Sequence, residues 1–187
     1  MAREPVVPTP PSLTEIDSIS LLREVVVEDL RTHHRSWGSP GFQALLAVRI
    51  GRYARSLPVP LRKAVTLAYR ILRRRVRYRF GIELDATVTV GRRVHIGHHG
   101  TIVIHRHAEL GDGVLIRQGV TIGAASEESF RDPPRIGAGV EIGAGAMIIG
   151  PVAVGDGVRI GPNAVVTTDV PANASVMSPA SRIMVLR

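Results

Sequence analysis

Residues 135–166 read RIGAGVEIGAGAMIIGPVAVGDGVRIGPNAVV, and an aliphatic residue returns there every six positions: Ile136, Ile142, Ile148, Val154, Ile160 and Val166. Toward the C-terminus the phase continues to Ala172. Toward the N-terminus, beyond a break, it runs from Val120 through Val114, Ala108, Ile102, Ile96 and Val90 back to Leu84. Glycine often follows the column, as at Gly91, Gly97, Gly137, Gly143, Gly155 and Gly161. A second column of small or β-branched residues holds Val88, Val94, Val140, Ala146, Val152, Val158, Ala164 and Val170. Short β-favouring runs with turn glycines on a six-residue period are the pattern of a β-helix solenoid. Alternate side chains of each short strand point inward, and the glycines turn the corners. Three strands per coil predict about five coils.

The break falls at residues 124–135, AASEESFRDPPR, which are polar and end in proline. They must leave the coil as a loop, and a long loop on a rigid solenoid reads as functional.

Composition agrees with a thin aliphatic core. Hydrophobic residues make up 44% of the 187, but aromatic residues only 4%. The chain has no cysteine, which excludes disulfides and thiolate chemistry. No apolar run reaches the roughly 18 residues that suggest a membrane-spanning helix. The N-terminus lacks the apolar segment of a secretory signal, so a cytoplasmic location is expected. The net charge of +8 is uneven. Residues 1–81 carry 15 Arg/Lys against 6 Asp/Glu, and residues 82–187 carry 9 against 10.

The expected organisation is a flexible N-terminus over residues 1–18, a helical region over 19–81, the β-helix over 82–172 and a C-terminal extension over 173–187. Ser12 or Thr14 offers a cap for a first helix over 19–34. Trp37–Pro40 reads as a turn, and residues 41–56 and 60–79 read as two further helices, Pro60 suiting a first turn. The last carries Arg70, Arg73, Arg74, Arg75, Arg77 and Arg79. Such a run reads as a solvated face, or as a surface for anionic partners such as a membrane. Nucleic acid is not expected, because no recognised motif accompanies the arginines.

Five of the seven histidines fall within residues 95–107: His95, His98, His99, His105 and His107. Two chemistries compete for them. One is a metal site, since histidine is the commonest metal ligand. The other is general-base catalysis, in which a neutral imidazole takes a proton from a hydroxyl as it attacks an acyl group.

Residues 82–172 resemble the acyltransferase domain of the serine acetyltransferase family, a left-handed β-helix of hexapeptide repeats. Upstream, Gly41-Phe42-Gln43-Ala44-Leu45 and Arg49-Ile50-Gly51 resemble the segment before the last helix of that family. The resemblance implies an acetyl-coenzyme A-dependent O-acetyltransferase acting on L-serine or a similar small hydroxyl acceptor, with no metal. Its catalytic histidine falls on His98, and the acid that orients it falls on Glu83. An acid that contacts substrate falls on Asp29. The family's Arg-His pair in the loop is replaced by Asp132 and Pro133, with Arg131 one step away. The family's acid before the catalytic histidine is replaced by Gly97. These departures favour a sugar or polysaccharide-precursor acceptor as the alternative, and a non-catalytic trimeric scaffold is the competing class. The resemblance also places coenzyme A along Gly143, Ala144, Gly145 and Ala146, with Arg182 of the Ser178–Arg182 motif reaching a coenzyme phosphate. It implies a homotrimer.

Overall fold

The computed structural model describes residues 6–126 and 128–180. Three helices precede the repeat: α1 (Ile19–Thr32), α2 (Pro40–Ser56) and α3 (Val59–Phe80). Ser18, not Ser12 or Thr14, caps α1, its hydroxyl accepting from the Leu21 N–H at 3.2 Å. Proline sits at the first position of α2 and near the start of α3, where a missing N–H costs nothing. Gly81 ends α3 in the left-handed conformation, φ 63°. None of these helices is long and apolar enough to cross a membrane.

From Ile82 the chain winds into a parallel β-helix with three sheets. The first holds Ile82–Glu83, Ile102–Ile104, Thr121–Gly123, Met147–Ile149 and Val165–Val166. The second holds Thr89–Val90, Glu109–Leu110, Arg135–Ile136 and Ala153–Val154. The third holds His95–Ile96, Leu115–Ile116, Glu141–Ile142, Arg159–Ile160 and Ser175–Val176. Inward side chains stack coil on coil. Val90, Leu110, Ile136 and Val154 form one ladder, and Ile96, Ile116, Ile142, Ile160 and Val176 another. Each fully buried aliphatic contributes about 1.5–3 kcal/mol, so the rod is held by many equal increments.

The register corrects the single-phase column. Ile96 lies under Ile116, twenty residues on, whereas Ile104 lies under Ile122, eighteen residues on. Two residues are therefore inserted between Ile96 and Ile104. The column hides this because both inward positions of each strand are apolar, so counting by six passes from one ladder to the other.

The helices are anchored on the first coils. A Cβ on Gly41 would meet the Ile96 carbonyl oxygen at 2.2 Å, and one on Gly51 would meet Ala86 at 2.5 Å, so α2 needs both glycines to lie against the coil. Arg49, fully buried, bonds the Asp29 carboxylate at 2.9 Å and the carbonyls of Val90 and Gly91, each at 2.7 Å. One guanidinium thus joins α1, α2 and the β-helix.

Residues 6–17, within the expected flexible N-terminus, form an extended strap. Within Pro8–Ser12 only Thr9 and Ser12 have N–H groups to donate. They give them to Asp156 at 3.0 Å and Asp112 at 3.1 Å, and each hydroxyl takes the second oxygen of the same carboxylate. Three extended residues span about 10 Å, which matches two coil rises of about 4.8 Å. Beyond the strap's clips, Leu13 and Ile16 are buried with Val25.

Candidate active site

The inserted residues lie on the edge where the third sheet turns into the first. Ile116 to Ile122, Ile142 to Ile148 and Ile160 to Val166 each take six residues; Ile96 to Ile104 takes eight. The longer corner is Gly97-His98-His99-Gly100-Thr101, and Thr101 is held at φ 53°, a strained value for a β-branched residue. His99 packs edge-on against Phe80, ring centroids 5.8 Å apart. His98 instead lines a hollow of about 350 Å³ beneath the α1–α2 turn.

That turn supplies the opposite wall. His33 caps α1, and the next two residues, His34 and Arg35, have positive φ angles of 56° and 58°. The His33 ring is buried, its Nδ1 2.7 Å from the Asp29 carbonyl and its Nε2 3.2 Å from the Ile96 N–H. The Nδ1–H tautomer satisfies both contacts, so a neutral ring is required. Burial pushes its pKa below the usual imidazole range, although the bond to Asp29 opposes this. His95 stacks edge-on on His33 at 4.8 Å, and its pKa is also lowered, first by burial and then by His33, His34, Arg117 and His98. Ser39, the N-cap of α2, and Arg117, one coil above Gly97, complete the ring of polar groups. No group of three or more His, Asp or Glu could hold a metal ion among the described residues.

Other expected site residues fall into three classes. The first is on the same edge. Gly143, Ala144 and Gly145 form the corner two coils beyond that of His98, linked to it by Gly119 N–H to Gly100 O and Gly145 N–H to Gln118 O, both 2.9 Å. Close stacking alone explains Gly143, because a Cβ there would meet Gly161 at 2.7 Å. The Ala146 side chain is buried in the core, so only its backbone faces the edge.

The second class lies elsewhere on the chain. Glu83 does not reach His98 within one chain: its carboxylate pairs with Arg77 at 3.1 Å and lines a separate hollow with Arg73, Asp85, His105 and Phe130. There Phe130 from the loop covers His105 at 4.5 Å. Arg131 and Asp132 border a third hollow with His107 and Glu109. The third class is removed from any site or outside it. Asp29 is 1% exposed, and both its oxygens are taken by Arg49, which makes it an anchor of the helices. Arg182 lies outside the described residues.

Sequence reading missed His33, His34 and Arg117. The adjacent His33-His34 pair just past a predicted helix was a usable signal. Arg117 was not, because only the twenty-residue register sets it over Gly97.

Residues 133–168 match the family described as Bacterial transferase hexapeptide (six repeats). The chain is 38% identical over 144 residues to serine acetyltransferase 1, chloroplastic, of Arabidopsis thaliana, covering 77% of this chain and 45% of that protein. It is 43% identical over 108 residues to the putative colanic acid biosynthesis acetyltransferase WcaB of Escherichia coli K12, covering 58% of this chain and 66% of that one. The chain thus spans about half to two thirds of the relatives it matches. A solved serine acetyltransferase in complex with CoA superposes with a TM-score of 0.69 at 25% identity, covering 84% of this chain and 67% of that one. The architecture is the left-handed β-helix that the resemblance implied.

Proposed function

We propose that this serine acetyltransferase-like hexapeptide-repeat protein transfers an acetyl group from acetyl-coenzyme A to the hydroxyl of a small acceptor, L-serine or a similar compound. The observation that carries the reading is His98, raised on the one lengthened corner of an edge whose later corners are Gly143-Ala144-Gly145 and Gly161-Pro162-Asn163. Small residues there let an extended thioester arm approach the backbone, and two coil rises of about 4.8 Å separate that stretch from His98.

His98 takes the proton of the acceptor hydroxyl as its oxygen attacks the thioester carbonyl carbon. The tetrahedral intermediate then collapses, the carbon–sulfur bond breaks, and the coenzyme thiolate recovers the proton from His98. The products are an acetyl ester and free coenzyme A. Glu83 has no part in this step within a single chain, because Arg77 holds it. A homotrimer is part of the proposal. Its support is the outer face of the first sheet, where Val103, Met147 and Val165 stand exposed in register with Glu83. Arg131 and Asp132 lie within the loop and serve the acceptor only where copies meet.

The alternative acceptor, a sugar or polysaccharide precursor, is favoured by Asp132 and Pro133 in the loop and by the likeness to a putative colanic acid biosynthesis enzyme. Contact of α3 with an anionic membrane surface is supported by Leu67, Ile71 and Tyr78, exposed beside its arginines. The test of the central reading is coenzyme A binding by calorimetry with thiol release from acetyl-coenzyme A across hydroxyl acceptors. Saturable binding and turnover are expected; failure of both removes the enzyme reading.

A further inference from the structure

Gly97 is the one corner residue of the His98 hollow whose glycine the fold does not demand. Its φ lies outside the left-handed region, and the nearest atoms to an added Cβ are 3.9 Å away. By contrast, Gly143 at the equivalent place has a neighbour at 2.7 Å. Gly97 therefore leaves room rather than turning a corner. The strand register sets Arg117 directly over it: His95 pairs with Leu115 and Ile96 with Ile116, and the Gly97 N–H donates to the Ile116 carbonyl at 2.9 Å.

Of the side chains lining that space, only Arg117 carries a fixed charge. His33, His34, His95, His98 and Arg117 line the hollow, and no carboxylate does. Of the nearby acids, Asp29 is buried against Arg49, and Glu141, one coil above Leu115, is exposed with Arg159 4.0 Å away. Arg117 itself makes no ion pair among the described residues. A guanidinium fork binds a carboxylate or phosphate with paired, charge-assisted hydrogen bonds. An ammonium in the same space finds no carboxylate, only neutral rings and the Ser36 and Ser39 hydroxyls.

The geometry points to Arg117 as the residue that selects the acceptor, gripping a carboxylate or phosphate carried beside the reacting hydroxyl, with no recognition of an ammonium. This rests on acetyl transfer by His98. It reassigns acceptor recognition from the loop to the coil above His98.

The experiment is thiol release from acetyl-coenzyme A with matched acceptors: L-serine, L-glycerate, serinol, glucuronate and glucose. The acid of a matched pair should exceed its partner without the carboxylate by about 10- to 100-fold in kcat/KM, the worth of one charge-assisted bond. Glycerate should equal or exceed serine. Arg117→Gln should erase the preference for the acid while leaving the KM for acetyl-coenzyme A unchanged, and Arg117→Lys should restore part of it. Serinol matching serine, glycerate falling tenfold below serine, or Arg117→Gln raising only the acetyl-coenzyme A KM would each overturn the assignment. A chain that binds coenzyme A yet acetylates no acid overturns it as well, leaving the donor site standing. A chain that binds no coenzyme A removes the proposed function and this inference together.

Discussion

Two corners on one edge of the rod differ by two residues, and the proposed chemistry rests on the difference. At Gly143-Ala144-Gly145 the chain turns in the fewest residues, and the next coil lies so close that a side chain on Gly143 would strike it. That corner is all backbone. At Gly97–Thr101 the turn is longer, the backbone passes through a strained αL residue, and two imidazoles project. A tight corner can offer only a surface to lie along. A lengthened one can hold a side chain out from a rigid frame, which is what a general base requires. The helices complete the contrast. They cover the first coils, where the α1–α2 turn walls the His98 hollow, and leave the later corners bare.

The largest way to break this arrangement is to release the helices. Asp29→Ala leaves Arg49 charged and unpaired in the interior, and removing one partner of a buried pair costs about 3–5 kcal/mol. Chemical denaturation should show that loss, with activity falling as the helical wall loosens. A change below about 1 kcal/mol would mean that the pair anchors little.

The two glycines sharpen the comparison itself. Gly143→Ala forces the next coil to move and should cost about 1–3 kcal/mol, as overpacking does. Gly97→Ala meets nothing closer than 3.9 Å and should stay within about 0.5 kcal/mol. Equal losses at both positions would remove the distinction between a tight corner and an open one.

A smaller effect concerns the strap. Thr9→Ala and Ser12→Ala each remove one hydroxyl from a carboxylate clip, at about 0.5–1.5 kcal/mol apiece. Limited proteolysis of the N-terminus should quicken in the double variant, and an unchanged cleavage rate would show that the clips do not hold the strap.

The smallest effect is graded with pH. Burial holds His33 below the ordinary imidazole pKa, so the unfolded chain binds its proton at a higher pH than the folded one. Stability is therefore complete above about pH 6.5 and is lost as pH falls toward the folded value, by at most about 1.4 kcal/mol per pH unit for this one group. Melting temperature followed from pH 7.5 to 5 should fall, and His33→Gln should flatten part of the slope. An identical slope in the variant would assign the loss to other groups.

The rod was plain in the sequence because a six-residue period leaves its mark on every coil. Its one subtle feature was not. Two residues inserted after Ile96 pass the count from one ladder to the other, yet both ladders are aliphatic, so the period looks continuous through Ile102 and Ala108. The strap was illegible for a different reason. Pro8–Ser12 has the composition of a loose tail, and its three-residue spacing gains meaning only once Asp112 and Asp156 are known to lie two coils apart. His98 is assigned by resemblance. The partners of the acids assigned with it were not legible, since only the fold shows which arginine reaches each: Arg49 for Asp29 and Arg77 for Glu83.

The lengthened corner also contains its own control, because His98 and His99 are neighbours with different surroundings. His98 opens on the hollow, and His99 is set against Phe80. Thiol release from acetyl-coenzyme A should therefore be measured for His98→Ala and His99→Ala side by side, with folding checked by circular dichroism. The expected result is a fall of at least about 100-fold in kcat for His98→Ala and a change within a few fold for His99→Ala. A folded His98→Ala protein that turns over as fast as the parent would contradict the assignment of the base.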